Sequence, residues 1–142
     1  KDKTDLDLAL RLAVAEGATE IILLATQGDR LDQSLANLML LTCTDWASVS
    51  VRVVEGDQTA WVLRGGERST IIGSAGDTLS LVPLTLQVTG VHLRGVAWPL
   101  SDATLCLGST LTISNSLITP EASIEIGTGI VLVVHRAAEP MS

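Results

Sequence analysis

The 142-residue sequence predicts an α/β segment followed by an all-β segment: part of an α/β domain, then an antiparallel β-sandwich or jelly roll. Apolar residues recur at helical spacing through the first 45 positions, with one short unbroken apolar run between them. Beyond Ser48 the period changes to two, and Gly, Asp and Pro punctuate many short runs. The change falls at Thr42 to Ser48, which places the predicted domains at residues 1–46 and 47–142.

The opening reads as helix, strand, helix. Thr4 followed by Asp7 forms a capping-box-like start, with the acid favourable beside a helix N-terminus. The Leu- and Ala-rich run from Asp5 is helix-forming, and Gly17 is a natural stop. Glu20 to Thr26 holds an unbroken apolar run, Ile21 to Ala25, which predicts a strand buried on both faces of a parallel sheet. After the polar turn Gln27-Gly28-Asp29-Arg30, residues Leu31, Leu35, Leu38 and Thr42 recur at helical spacing. A parallel strand needs neighbouring strands, and only one such strand is legible before residue 45. The sequence, which opens on Lys1, is therefore expected to be the continuation of an α/β domain begun upstream.

In the second segment Val49, Val51 and Val53 alternate with their neighbours, and Gly56-Asp57 turns the chain. Thr59 to Arg64 and Glu67 to Ile72, joined by Gly65-Gly66, are expected to form a hairpin. Further strands are predicted at Thr78 to Leu84, Gln87 to Leu93, Thr104 to Leu107, Ala122 to Ile126 and Ile130 to His135.

Composition narrows the partners. Nine basic and sixteen acidic residues give a net charge of −7, which argues against nucleic acid. The longest apolar stretches, such as Gly129 to Val134, are too short to span a bilayer, and no signal-peptide pattern is present. Cys43 and Cys106 lie far apart in apolar company and read as buried reduced thiols of a cytoplasmic protein. His92 and His135 are solitary and show no zinc spacing.

Polar residues suited to chemistry gather at Lys1-Asp2-Lys3-Thr4-Asp5, at Gly28-Asp29-Arg30-Leu31-Asp32-Gln33, and from Gly108 to Asn115. The second group sits at a strand end before a helix start, where free N–H groups and the helix dipole suit phosphate. Arg30 adds a fork of donors, and Asp5 and Asp32 are able to hold magnesium. Each group also has a plainer reading, as helix caps, N-terminal helix acids and turn residues. No Walker sequence or nucleophile elbow is present.

In their order these motifs resemble the thiamine pyrophosphokinase (thiamine diphosphokinase) family. Lys1 to Asp5 resembles its K-D-x-T-D motif, and Gly28 to Asn37 its G-G-R-x-D-[HQ]-x-x-A-N motif. Gly76 to Leu84 resembles the opening of the family's β domain. Trp98-Pro99-Leu100, Gly108-Ser109 and Ser114-Asn115 resemble its later signatures. The resemblance covers the family's C-terminal two-thirds. It implies a partial nucleotide-binding α/β domain at 1–46, a thiamine-binding β-sandwich at 47–142, and a homodimer with active sites between subunits. The implied reaction is attack of the thiamine hydroxyl on the β-phosphorus of ATP, with AMP released and magnesium as cofactor. By the same resemblance Asp5 and Asp32 are catalytic, with Asp5 on magnesium or facing thiamine. Arg30, Asp32 and Gln33 face ATP, and Ser114 and Asn115 contact thiamine. The sequence departs from the family at Asp29, which replaces a glycine, and at Ser116, where many bacterial members carry an acid. The family's G-D-x-D-S-type metal motif belongs upstream of Lys1, so the 142-residue segment alone is expected to be inactive. A non-catalytic thiamine- or nucleotide-binding relative is the second reading, and a purely structural β-sandwich module the third.

Overall fold

The structure is a computed structural model that describes residues 3–24 and 28–139. The chain forms two compact units, Lys1–Gly56 and Asp57–Ser142.

The first unit contains α1 (Asp5–Ala15), β1 (Glu20–Leu24), α2 (Leu31–Leu40), a 3-10 turn (Thr44–Trp46) and β2 (Ser50–Glu55). Thr4 caps α1 by accepting the Asp7 N–H at 3.2 Å, and Gly17, at φ 90°, ends the helix in the left-handed region. Leu10 and Leu41 are buried with Trp46, whose indole N–H donates to the Leu40 carbonyl at 3.1 Å. Arg11 ties the unit together. It pairs with Asp7 at 2.8 Å and with Asp45, and its guanidinium lies 5.3 Å from the centre of the Trp46 ring.

Three expectations change here. β1 is not isolated, because β2 pairs with it in parallel from Glu20↔Ser50 to Leu24↔Val54. The strand predicted at 49–54 thus takes part in a parallel pair, which its period-two alternation does not reveal. The crossover of α2 and the 3-10 turn supplies the length such a pairing requires. β1 is also not covered on both faces: Leu23 is buried, whereas Ile22 and Leu24 are 54% and 69% exposed. The apolar stripe of α2 is likewise uncovered within the unit, with Leu31 and Leu35 exposed. The far end of the predicted strand, Ala25-Thr26, and Gln27 of the following turn lie outside the described residues, as do Lys1 and Asp2.

The second unit is a sandwich of two antiparallel sheets. One contains β3 (Gln58–Arg64), β10 (Ile130–Arg136), β5 (Thr78–Pro83) and β8 (Asn115–Ser116), in that order. The other runs β4 (Arg68–Ile72), β9 (Glu121–Glu125), β6 (Gln87–Arg94), β7 (Leu100–Cys106). Alternation fills the space between them. Leu79 and Leu81 of β5, Val88, Val91 and Leu93 of β6, Ile124 of β9, and Val131 and Val133 of β10 are all buried. At about 1.5–3 kcal/mol per fully buried aliphatic side chain, this layer dominates the unit's stability. It does so without a Phe or Tyr anywhere in the chain.

The predicted hairpin of 59–64 with 67–72 does not form. β3 pairs with β10 and β4 with β9, so the Gly65-Gly66 link passes from one sheet to the other. The two glycine N–H groups donate to the carbonyls of Gly129 and Ile126, both at 2.9 Å, in the 126–129 link that joins β9 to β10. A Cβ on Gly65 would sit 3.0 Å from Gly127 O and Thr128 Cα, which explains the small residue without a tight turn. Cys106 is exposed at the end of β7 and Cys43 half-buried, rather than both being buried, and neither takes part in a disulfide among the described residues. No helix among the described residues is long and apolar enough to cross a membrane.

Candidate functional site

Two separate sites carry the polar residues picked out in the sequence. In the first unit, the N-termini of α1 and α2 open on one cavity of about 530 Å³, lined by Thr4, Asp5, Arg30, Asp32, Gln33 and Asn37 among others. Two helix starts directed at one space offer main-chain N–H groups and positive dipole ends to an anion. The structure therefore brings together Asp5, Arg30, Asp32 and Gln33, although more than twenty residues separate Asp5 from the others.

Within that cavity Arg30 and Asp32 form a two-pronged pair. Nε reaches Oδ1 at 3.2 Å and Nη2 reaches Oδ2 at 2.6 Å. Asp32 Oδ1 also accepts the Gln33 N–H at 2.9 Å, at the first turn of α2. The Arg30 guanidinium, and then the Gln33 N–H, hold the Asp32 carboxyl below the usual carboxylate range. Both side chains are two-thirds exposed, so the pair is an exchangeable surface contact. An incoming phosphate can take the Arg30 fork in place of Asp32. Ser34 steadies the approach to α2 through contacts with both the N–H and the carbonyl of Gly28.

Two carboxylates lie in this cavity, and no cluster of three or more metal-ligating side chains occurs among the described residues. Such a donor set fits magnesium, which keeps several waters and uses one or two carboxylates beside substrate phosphates.

In the second unit, a cavity of about 420 Å³ is lined by Trp98, Leu100, Thr112, Ile113, Ser114 and Asn115 among others. The segment before β8 is bolted to β5. Thr112 donates to the Leu81 carbonyl at 2.7 Å, and the Ser114 N–H donates to Ser80 Oγ at 2.9 Å. Ser114 is held at φ 61°, in the left-handed region that costs a non-glycine residue energy. Its side chain is exposed.

Asn115, 5% exposed, is engaged differently. Its Oδ1 accepts the N–H of Trp98 at 3.1 Å and of Ser116 at 2.9 Å, and its Nδ2 donates to the Trp98 carbonyl at 2.9 Å. The amide clasps the main chain of Trp98, whose indole stands largely exposed at the cavity. Sequence reasoning had placed Trp98 in a signature without giving it a role. The usable signal is a lone aromatic beside a proline in the short link between two strands. Asp77, within the Gly76 to Leu84 signature, is buried and accepts the Ser74 N–H (3.0 Å), the Ala138 N–H (2.8 Å) and the His135 Nε2–H (2.7 Å). It fixes the end of β10 to the start of β5.

Comparison with known proteins gives consistent matches along the chain. A family model described as the thiamin pyrophosphokinase catalytic domain matches residues 1–54, and one described as the thiamin pyrophosphokinase vitamin B1 binding domain matches residues 68–131. Thiamine pyrophosphokinase of Bacillus subtilis is 29% identical over 135 residues, which are 95% of this chain and 63% of that protein. The crystal structure of the Bacillus subtilis thiamine pyrophosphokinase matches with a TM-score of 0.89 at 27% identity, over 98% of this chain and 65% of that one. That of the Geobacillus thermodenitrificans protein matches with 0.84 at 28%, over 98% and 64%. The chain thus spans just under two thirds of the length of these relatives.

Proposed function

Because this chain belongs to the thiamin pyrophosphokinase family, we propose that it serves thiamine diphosphate synthesis as an ATP-dependent pyrophosphotransferase. In this reading the thiamine hydroxyl oxygen bonds to the β-phosphorus of ATP, the bond from that phosphorus to the α-phosphate bridging oxygen breaks, and AMP leaves. The observation that carries the reading is the cavity where the starts of α1 and α2 meet around Asp5, Arg30, Asp32 and Gln33.

Each residue then has a physical task. The two helix N-termini and the Arg30 fork hold ATP phosphates, with Arg30 exchanging its Asp32 contact for phosphate oxygens. Asp5, together with Asp32, would hold magnesium, which would supply charge neutralisation at the transferring group. Gln33 supplies a neutral hydrogen bond to ATP. The thiamine cavity is that of the second unit, where the exposed Trp98 offers a face to a cationic ring and Ser114 a hydroxyl. Asn115 acts on thiamine by holding Trp98 in place. This keeps a nucleotide-binding part within residues 1–46 and a thiamine-binding part within 47–142, in a cytoplasmic homodimer; two cysteines outside any disulfide suit that compartment.

A second reading, a relative that binds without transferring, is favoured by Asp29, an exposed carboxylate beside Arg30 where ATP phosphates would lie. AMP release from ATP, thiamine and magnesium by the purified protein separates the two. Thiamine-dependent AMP supports transfer; saturable thiamine binding without AMP supports the second reading.

A further inference from the structure

The outward face of the β4-β9-β6-β7 sheet carries a group of side chains that neither cavity uses. Strand register sets them in two rows, Arg68–Glu125–His92 and Thr70–Ser123–Arg94, around a depression of about 140 Å³. The inward positions of the same strands, Ile71, Ile124 and Leu93, already supply the core, so packing does not dictate what lies outside.

We propose that this depression is a binding site for a small oxyanion of the phosphate class. Two arginines stand at opposite corners of the rows, against a single carboxylate, in a chain whose net charge is −7. Arg94 has no ion-pair partner among the described residues, and Arg68 reaches Glu125 only at 3.6 Å from an exposed position. That contact holds Arg68 weakly and yields to a better acceptor. His92 lines the depression, and because its Nδ1 accepts the Asp102 N–H at 3.4 Å, Nε2 is the ring nitrogen left to donate. Thr70 and Ser123 add hydroxyls from the second row. Rows about 7 Å apart along the strands and about 5 Å between strands surround a tetrahedral anion rather than clamping a flat carboxylate. Glu125, in the middle of the first row, limits the affinity.

An amide NMR titration of the 142-residue chain with inorganic phosphate tests this directly. Saturable shifts are expected at His92, Arg94 and Ser123. Arg94→Gln should weaken binding there about tenfold, Glu125→Gln should tighten it, and Arg30→Gln, in the other unit, should leave it unchanged. Competition by glycerol phosphate would identify a phosphomonoester as the ligand type, and absence of competition would identify free phosphate; both uphold the site. A folded spectrum without saturable shifts at those three residues, or shifts indifferent to Arg94→Gln, would overturn it.

Discussion

Replacing Asn115 by alanine removes the clasp on Trp98 and should reduce both stability and thiamine affinity. Three main-chain groups lose their partner: the N–H groups of Trp98 and Ser116, and the Trp98 carbonyl. Orphaning a buried polar group costs about 1–3 kcal/mol. Trp98 is 66% exposed, so water reaches part of its main chain in the variant, and the lower part of that range applies. The total is then about 3 kcal/mol, a large share of the roughly 5–15 kcal/mol that holds a domain together. In a unit of this size it corresponds to a melting temperature lower by on the order of 10–20 °C. Asn115→Asp keeps the acceptor oxygen but sets a second oxygen against the Trp98 carbonyl, so it should not restore stability. Urea denaturation gives the free energy, and quenching of Trp98 fluorescence by thiamine gives the affinity. If Asn115→Ala loses less than about 0.5 kcal/mol and binds thiamine normally, the clasp does not hold the site.

Burial disfavours the Asp77 carboxylate, but the Ala138 N–H, His135 and the Ser74 N–H outweigh it and hold its carboxyl below the usual range. A depressed folded value means the stability it contributes is present above the unfolded value of about 3.9 and is lost as pH falls through the folded one. Acid denaturation followed by circular dichroism should therefore show a loss below about pH 4 that is smaller in Asp77→Asn. Gly129 sits at φ 91°, and a Cβ there would collide with the Gln87 carbonyl, so Gly129→Ala should cost about 2 kcal/mol or more in denaturant. Sedimentation velocity at micromolar concentration should show a dimer; a monomer throughout would contradict the assembly proposed above.

The second unit was the more legible part of the fold, because alternation reports which face a residue occupies. Leu79 and Leu81, or Val131 and Val133, are buried as their spacing requires. What alternation does not encode is which strand pairs with which. The Gly65-Gly66 link therefore reads as a hairpin turn, although its N–H groups bond to the 126–129 link some sixty residues away. The parallel pairing of β1 with β2 was hidden for the same reason: Val51 and Val53 read equally well as the first strand of a sandwich. At the sites, the residue types were visible and the geometry was not. Asp5 and Asp32 have ordinary helix-start explanations until the two helix ends are seen to share one cavity. Trp98 gains a role only once the Asn115 amide is seen to grip its main chain.

The cavity at the starts of α1 and α2 carries the proposed transfer, and Asp5→Asn probes it most directly. Asparagine keeps the shape and hydrogen-bonding character at the helix start while removing the charge that magnesium needs. Single-turnover and steady-state AMP release should show the rate constant falling about a hundredfold or more, with the Michaelis constant for thiamine little changed. AMP release at a near-normal rate, with the variant fully folded, would contradict the assignment and leave Asp5 as a helix-start residue worth about 1 kcal/mol.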